Sequence, residues 1–156
     1  MNGDIEGRSI VDLGAGTGVL GIGALILGAQ VTFVEVDPDA IVVLERNLSG
    51  YEGYSIVEAD ASSCVGSFDT AVMNPPFGAQ ERHADKRFLL AAMKLARVVY
   101  SIHNANSTRF LASFFKDHSW RSTIIAERSL SLPSVYGHHS KPRFEQAVVV
   151  CRSTNV

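Results

Sequence analysis

Cysteine is nearly absent from the 156 residues: only Cys64 and Cys151 occur, with neither metal-ligand spacing nor a disulfide-framework pattern. A disulfide-stapled scaffold and a cysteine zinc site are thereby excluded, and both thiols read as small apolar fillers in a reducing compartment. The opening residues lack the basic stretch and apolar run of a secretory leader; Asp4 and Glu6 stand there instead. The uncharged run Leu13 to Val34 is long enough to span a bilayer, but six glycines and Gln30 interrupt it and acidic residues flank it. A glycine turn, a buried helix and a buried strand account for it better, so a cytoplasmic protein without membrane contact is expected. Internal repeats and low-complexity tracts are also missing. Hydrophobic residues at 46% and charged residues at 19% leave a folded chain with one sizeable core, expected to form a single domain over residues 1–156.

Basic residues are scarce in the first part of the chain. Residues 1–75 contain 2 Lys/Arg against 11 Asp/Glu, whereas residues 76–156 contain 12 against 5 and all five histidines. The net charge of −2 conceals this division. It is what a polyanion-binding face would leave in a sequence, and equally what ordinary solvated helix faces would leave.

Apolar runs alternate with amphipathic stretches, the pattern of a parallel α/β sheet. Strands are expected at Ser9–Leu13, Gln30–Val36, Tyr54–Glu58, Phe68–Met73, Val99–Ile102, Trp120–Glu127 and Phe144–Cys151. Helices are expected at Val19–Leu27, from Pro38 to about Asn47 with Asp37 as N-cap, at Asp85–Val98 and at Ser107–Lys116. Residues 129–143 read as a polar loop, unusually long for a hairpin and therefore a functional candidate.

The run Val11-Asp12-Leu13-Gly14-Ala15-Gly16-Thr17-Gly18 places glycines where a strand turns into a helix. Gly16, Gly18 and Gly21 also satisfy the dinucleotide fingerprint, with Glu35 at about the distance of a ribose partner, so an NAD-dependent enzyme is a rival reading. Asp12 favours S-adenosylmethionine instead. A carboxylate just before the first glycine would oppose an anionic pyrophosphate, but it suits a water or an ammonium group. Glu35 is placed to accept from two ribose hydroxyls, Asp60 from an adenine amino group, and the Ala61 backbone N–H to reach a ring nitrogen. For Asp60 a surface turn remains the bland reading.

Asn74-Pro75-Pro76-Phe77 follows the apolar run Phe68–Met73 directly, at the strand end where open α/β sheets bind ligands. The prolines fix φ and remove two donors, leaving the Asn74 side-chain oxygen and the Pro75 carbonyl as rigid acceptors. An exocyclic –NH2 offers two hydrogens to such a pair, and Phe77 can stack on its ring. Held in this way, the amine directs its lone pair toward a methyl donor, so positioning supplies much of the rate and no strong base is needed.

With these residues the chain resembles the class I adenine-N6 methyltransferases. More closely, it resembles the archaeal and eukaryotic family that methylates an adenosine of small-subunit ribosomal RNA. The resemblance runs from about Ile10 to the C-terminus. It includes Asp12-Leu13-Gly14, Glu35-Val36-Asp37, Asp60, Met73 to Gly78, Tyr100-Ser101-Ile102-His103, Ile125-Ala126-Glu127, and Leu132-Pro133 with Tyr136 and His139.

It implies a Rossmann-like, mostly parallel seven-stranded sheet with a C-terminal antiparallel pair and helices on both faces. It implies cofactor roles for Asp12, Gly14, Glu35 and Asp60, with Gly16 and Gly18 in the same turn, target-amine binding by Asn74 through Phe77, and an RNA-backbone contact for Lys141. A small zinc-containing activator protein is implied as a candidate partner. His138 and His139 lack a third ligand, so no metal site is expected. Only Met1–Arg8 precede the first strand, whereas family members carry an upstream segment that helps close over the cofactor; a missing or truncated segment is the expectation. RNA adenine-N6 methylation leads, ahead of DNA adenine, a protein glutamine amide and a non-catalytic remnant.

Overall fold

Seven apolar strands and four helices assemble into one sheet with helices on both faces in the computed structural model, which describes residues 3–75, 84–133 and 143–155. The strands are β1 (Ser9–Leu13), β2 (Gln30–Glu35), β3 (Tyr54–Glu58), β4 (Phe68–Met73), β5 (Ala96–Asn104), β6 (Trp120–Pro133) and β7 (Arg143–Asn155). The helices are α1 (Val19–Ile26), α2 (Pro38–Asn47), α3 (Ala84–Leu95) and α4 (Thr108–Asp117). The sheet order is β3-β2-β1-β4-β5-β7-β6. The first five strands run parallel, and β7 pairs antiparallel with both β5 and β6. This is the Rossmann-like arrangement with a C-terminal antiparallel pair that the resemblance implies, β7 alone being reversed.

Two apolar layers hold the helices to the sheet. On one face Ile10, Val31, Phe33 and Val72 pack with Ala24 of α1 and Leu44 of α2. On the other, Val11, Leu13, Met73 and Val99 pack with Leu89, Ala92 and Leu95 of α3 and with Leu111 and Phe115 of α4. Adjacent strand residues alternate between the layers, as Ile10 and Val11 do, because side chains on a strand point to opposite faces with a period of two. Cys64 and Cys151 are both buried, and burial raises both thiol pKa values above the usual range, which makes them inert apolar fillers. Among the described residues no helix is long and apolar enough to cross a membrane.

Two sequence expectations require correction. The helix read over Asp85–Val98 ends at Leu95, and β5 begins at Ala96 without an intervening residue. Pairing of Ala96 with Phe68, and of Val98 with Thr70, draws these residues into the sheet, so tertiary contacts override a continuing helical pattern. The loop read over 129–143 is shorter at both ends. Residues 129–133 and 143–147 pair as strands, from Ser129↔Ala147 to Pro133↔Arg143, and a bond from the Ser129 hydroxyl to Glu145 ties the two together. The last pair between β5 and β7 is Asn104↔Val148, so this part of the hairpin extends past the carboxyl edge of the parallel strands as a two-stranded arm.

The described N-terminal residues are stitched to the far half of the sheet. Arg152 Nε donates to Asp4 Oδ2 at 2.8 Å, the Tyr100 hydroxyl donates to the same oxygen at 2.7 Å, and the Thr70 hydroxyl donates to the Asp4 carbonyl at 2.7 Å. Burial alone would raise the Asp4 pKa, but these bonds to Arg152 and Tyr100 outweigh it and hold the carboxyl below its usual range.

Candidate active site

The glycine turn leaves β1 at Leu13 and is locked onto the neighbouring strand: Gly14 and Ala15 both donate to the Val34 carbonyl, at 2.9 and 3.0 Å. Gly16 has φ +54 with nothing near its would-be Cβ, so the backbone conformation is what calls for glycine there. Gly21, on α1, has the opposite reason. A Cβ there would overlap the Phe33 ring and come within 2.9 Å of Asp12 Oδ2, so only glycine lets α1 approach the sheet this closely.

Two carboxylates lie behind this turn. Asp12 is 2% exposed, and its Oδ2 accepts from the Gly21 N–H at 2.8 Å, capping a free backbone donor in the first turn of α1. Burial pushes its pKa up to about 7; nearby Glu35 adds to the rise and the Gly21 bond opposes it. Glu35 ends β2 and is 9% exposed. Its Oε2 accepts from Gly16 N at 2.7 Å, while Oε1 accepts from Val36 N at 2.8 Å and Asp37 N at 3.0 Å. Glu35 therefore holds the glycine turn and the start of α2 in one frame, a structural duty its spacing in the sequence does not reveal. Asp37 caps α2 as expected, accepting from Asp39 N at 2.9 Å.

Asp60 opens a short 3-10 turn, Ala61–Ser63, that the sequence reading missed. Its carboxylate accepts from the Ser62 N–H at 2.8 Å and from the Ser62 hydroxyl, and it pairs with Arg87 at 3.2 Å. The Ser62 hydroxyl bond, the backbone bond and Arg87 together hold the Asp60 pKa below its usual range. Asp60, expected to accept from an adenine amino group, is engaged here by its own turn and by a cation on α3. Ala61 is buried at the start of that turn.

Leu13 pairs with Met73, so Gly14 and Asn74 leave adjacent parallel strands at the same level of the carboxyl edge. Asn74 is exposed and Pro75 is buried. Pro76, Phe77, Lys141, Tyr136, His138 and His139 lie outside the described residues. Directly across the same edge, His103 of β5 is 1% exposed, with Nδ1 3.6 Å from Asp85 Oδ2 in the first turn of α3. Among the described residues, Ser101 Oγ and His103 Nε2 are buried without a hydrogen-bond partner. The sequence placed these residues only within a family-like segment; their burial and pairing across α3 and β5 left no local signal.

The donor set decides between cofactors. Of the two carboxylates behind the turn, Asp12 favours a cationic ligand over an anionic pyrophosphate, whereas Glu35 suits the ribose hydroxyls of either cofactor.

Residues 2–100 match the family model of the methyltransferase small domain. The chain belongs to that family. As a class I methyltransferase it draws its methyl group from S-adenosylmethionine. The methyltransferase is 36% identical over 148 residues to the rRNA N6-adenosine-methyltransferase of Drosophila melanogaster, covering 88% of this chain and 70% of that one. It is 33% identical over 160 residues to the enzyme of the same description from Danio rerio, covering 97% and 77%. Among solved structures, it superposes with a TM-score of 0.90 on a Pyrococcus horikoshii protein provisionally assigned as an RNA methyltransferase. That protein is 41% identical, and the match covers 99% of this chain and 78% of that one.

Proposed function

We propose that this methyltransferase modifies the N6 amine of an adenosine in RNA, with ribosomal RNA as the class of substrate. The observation that carries the reading is the adjacency of two features: the glycine turn backed by Asp12 and Glu35, and Asn74-Pro75 just past the end of the neighbouring strand at the same level. The relatives that act on ribosomal adenosine support the choice of target.

S-adenosylmethionine, when bound, supplies an electrophilic methyl group on a sulfonium. The chain contributes positioning. Gly14, Gly16 and Gly18 keep side chains out of the turn, and Asp12 offers a buried carboxylate to a cationic amino group, directly or through water. Glu35 turns its remaining lone pairs to the ribose hydroxyls. Asp60 and the Ala61 N–H address the adenine ring once Asp60 shares its carboxylate between Arg87 and the ligand. The Asn74 side-chain oxygen and the Pro75 carbonyl accept the two hydrogens of the target amine, which holds its lone pair toward the methyl group; Pro76 stiffens the turn and Phe77 stacks on the base.

The β6–β7 arm runs past the same edge toward residues 134–142, and this supports a role for Lys141 on the RNA backbone. A cytoplasmic site of action and a small zinc-containing activator protein complete the proposal.

Incubation with labelled S-adenosylmethionine and ribosomal or short single-stranded RNA should label the RNA, and Asn74→Ala should abolish labelling without unfolding the domain. Labelling of DNA or protein alone would sink the RNA assignment.

A further inference from the structure

His103 is the one fully buried imidazole among the described residues, and nothing in the cofactor and amine sites uses it. It stands at the carboxyl end of β5, two positions beyond Ser101, which pairs with Met73. Pro75 stands two positions beyond Met73, the last residue of the adjacent strand β4. With side chains alternating every residue along β5, His103 leaves the sheet on the same face as Ser101 and its partner Met73, the face covered by α3. The imidazole reaches across that face to Asp85 in the first turn of α3, 3.6 Å from Nδ1, so it links the strand beside Pro75 to the helix that follows the Asn74–Phe77 segment.

The group is costly to keep. Burial lowers the His103 pKa and Asp85 opposes that shift in part, which favours the neutral ring. Facing a carboxylate, a neutral imidazole carries its proton on Nδ1, and Nε2 becomes an acceptor. Among the described residues that acceptor is buried without a donor, and the Ser101 hydroxyl on the same face is also unpartnered. An apolar residue of similar size would avoid both penalties, and buried unsatisfied polar groups of this kind concentrate where function demands them.

We infer that His103, acting through Asp85, is a positioning residue for methyl transfer: it clamps β5 to the first turn of α3 and so fixes the Asn74 oxygen and Pro75 carbonyl against the target amine. The inference rests on the reading that Asn74 and Pro75 hold that amine. The expected signature is a loss in kcat rather than in substrate or cofactor binding, because a displacement on the order of 1 Å at the reacting atoms costs about 100-fold in rate.

The test compares His103→Phe, His103→Asn and Asp85→Asn in the full chain, with RNA as methyl acceptor. His103→Phe should stay folded, bind S-adenosylmethionine with unchanged affinity, keep its KM for RNA and lose about 100-fold in kcat. Asp85→Asn should reproduce this loss, and the double variant should lose no more than either single one. His103→Asn, whose amide nitrogen can stand near the position of Nδ1, should recover part of the rate. Wild-type kcat in His103→Phe, or a loss that merely tracks the unfolded fraction in thermal melts, would overturn the inference. If the wild-type protein methylates a different acceptor, the same kcat comparison on that acceptor still decides the role of His103, so failure of the RNA assignment and failure of the clamp are separable.

Discussion

Asp12→Asn isolates the buried carboxylate behind the glycine turn. The unfolded chain ionises Asp12 near 3.8, but the folded protein does so only at about 7, because the side chain is desolvated. Between those values the folded state holds the extra proton, so stability falls as pH rises. The contribution is fully present below 3.8 and is lost by about pH 7. A rise of this size corresponds to a loss on the order of 4 kcal/mol across the window.

Asparagine keeps an oxygen to accept from the Gly21 N–H but has no charge to bury. Urea unfolding, followed by circular dichroism from pH 4 to pH 8, should give nearly equal stabilities at the acid end. At pH 8 Asp12→Asn should be the more stable by a few kcal/mol. Taking the difference between the two proteins cancels Asp4, Asp60 and Asp69, whose depressed pKa values act in the opposite direction. The same substitution should weaken S-adenosylmethionine binding, since losing a charge-assisted bond of about 1.5–3 kcal/mol lowers affinity about ten- to a hundredfold. Parallel pH curves for the two proteins, or a wild type more stable at pH 8, would refute the assignment of a desolvated Asp12.

Asn74→Ala should lower kcat by about 100- to 1,000-fold while the melting temperature stays put, because the side chain is exposed and its acceptor role matters only with substrate bound. Glu35→Ala removes the acceptor of three backbone N–H groups, so urea unfolding should reveal a loss of about 1–3 kcal/mol. The thermal shift induced by S-adenosylmethionine should shrink with it. Gly21→Ala drives a methyl group into Phe33 and Asp12, and the same unfolding assay should register about 1–3 kcal/mol of destabilisation.

The boundaries of β1, β3 and β4 were legible because each is a short apolar run closed by turn residues, and the start of α2 because Asp37-Pro38 is a local capping signal. Ala96 and Val98 continue the apolar spacing of α3, so no local feature separates that helix from β5; the break is made by pairing with β4, a contact between distant parts of the chain. Ser129 to Pro133 looked like loop by composition, yet its Ser-Leu-Ser-Leu alternation is that of a strand, and the partner segment 143–147 draws it into one.

In the candidate site, the convergence of Asp12, Glu35 and Asn74-Pro75 at one sheet edge was legible from their position relative to glycines and prolines. The partners of Asp60 and His103 were not. Arg87 reaches Asp60 from 27 residues away, and Asp85 meets His103 only because α3 folds back over β5.

Mass spectrometry of nucleosides, after incubation of the protein and S-adenosylmethionine with ribosomal RNA, reports both the acceptor and the modified atom and so decides whether adenine N6 is the target. N6-methyladenosine should form, and in the Asn74→Ala reaction it should form about 100- to 1,000-fold more slowly. Methylation at another atom of the base, or N6-methyladenosine formed equally well without Asn74, would contradict this reading.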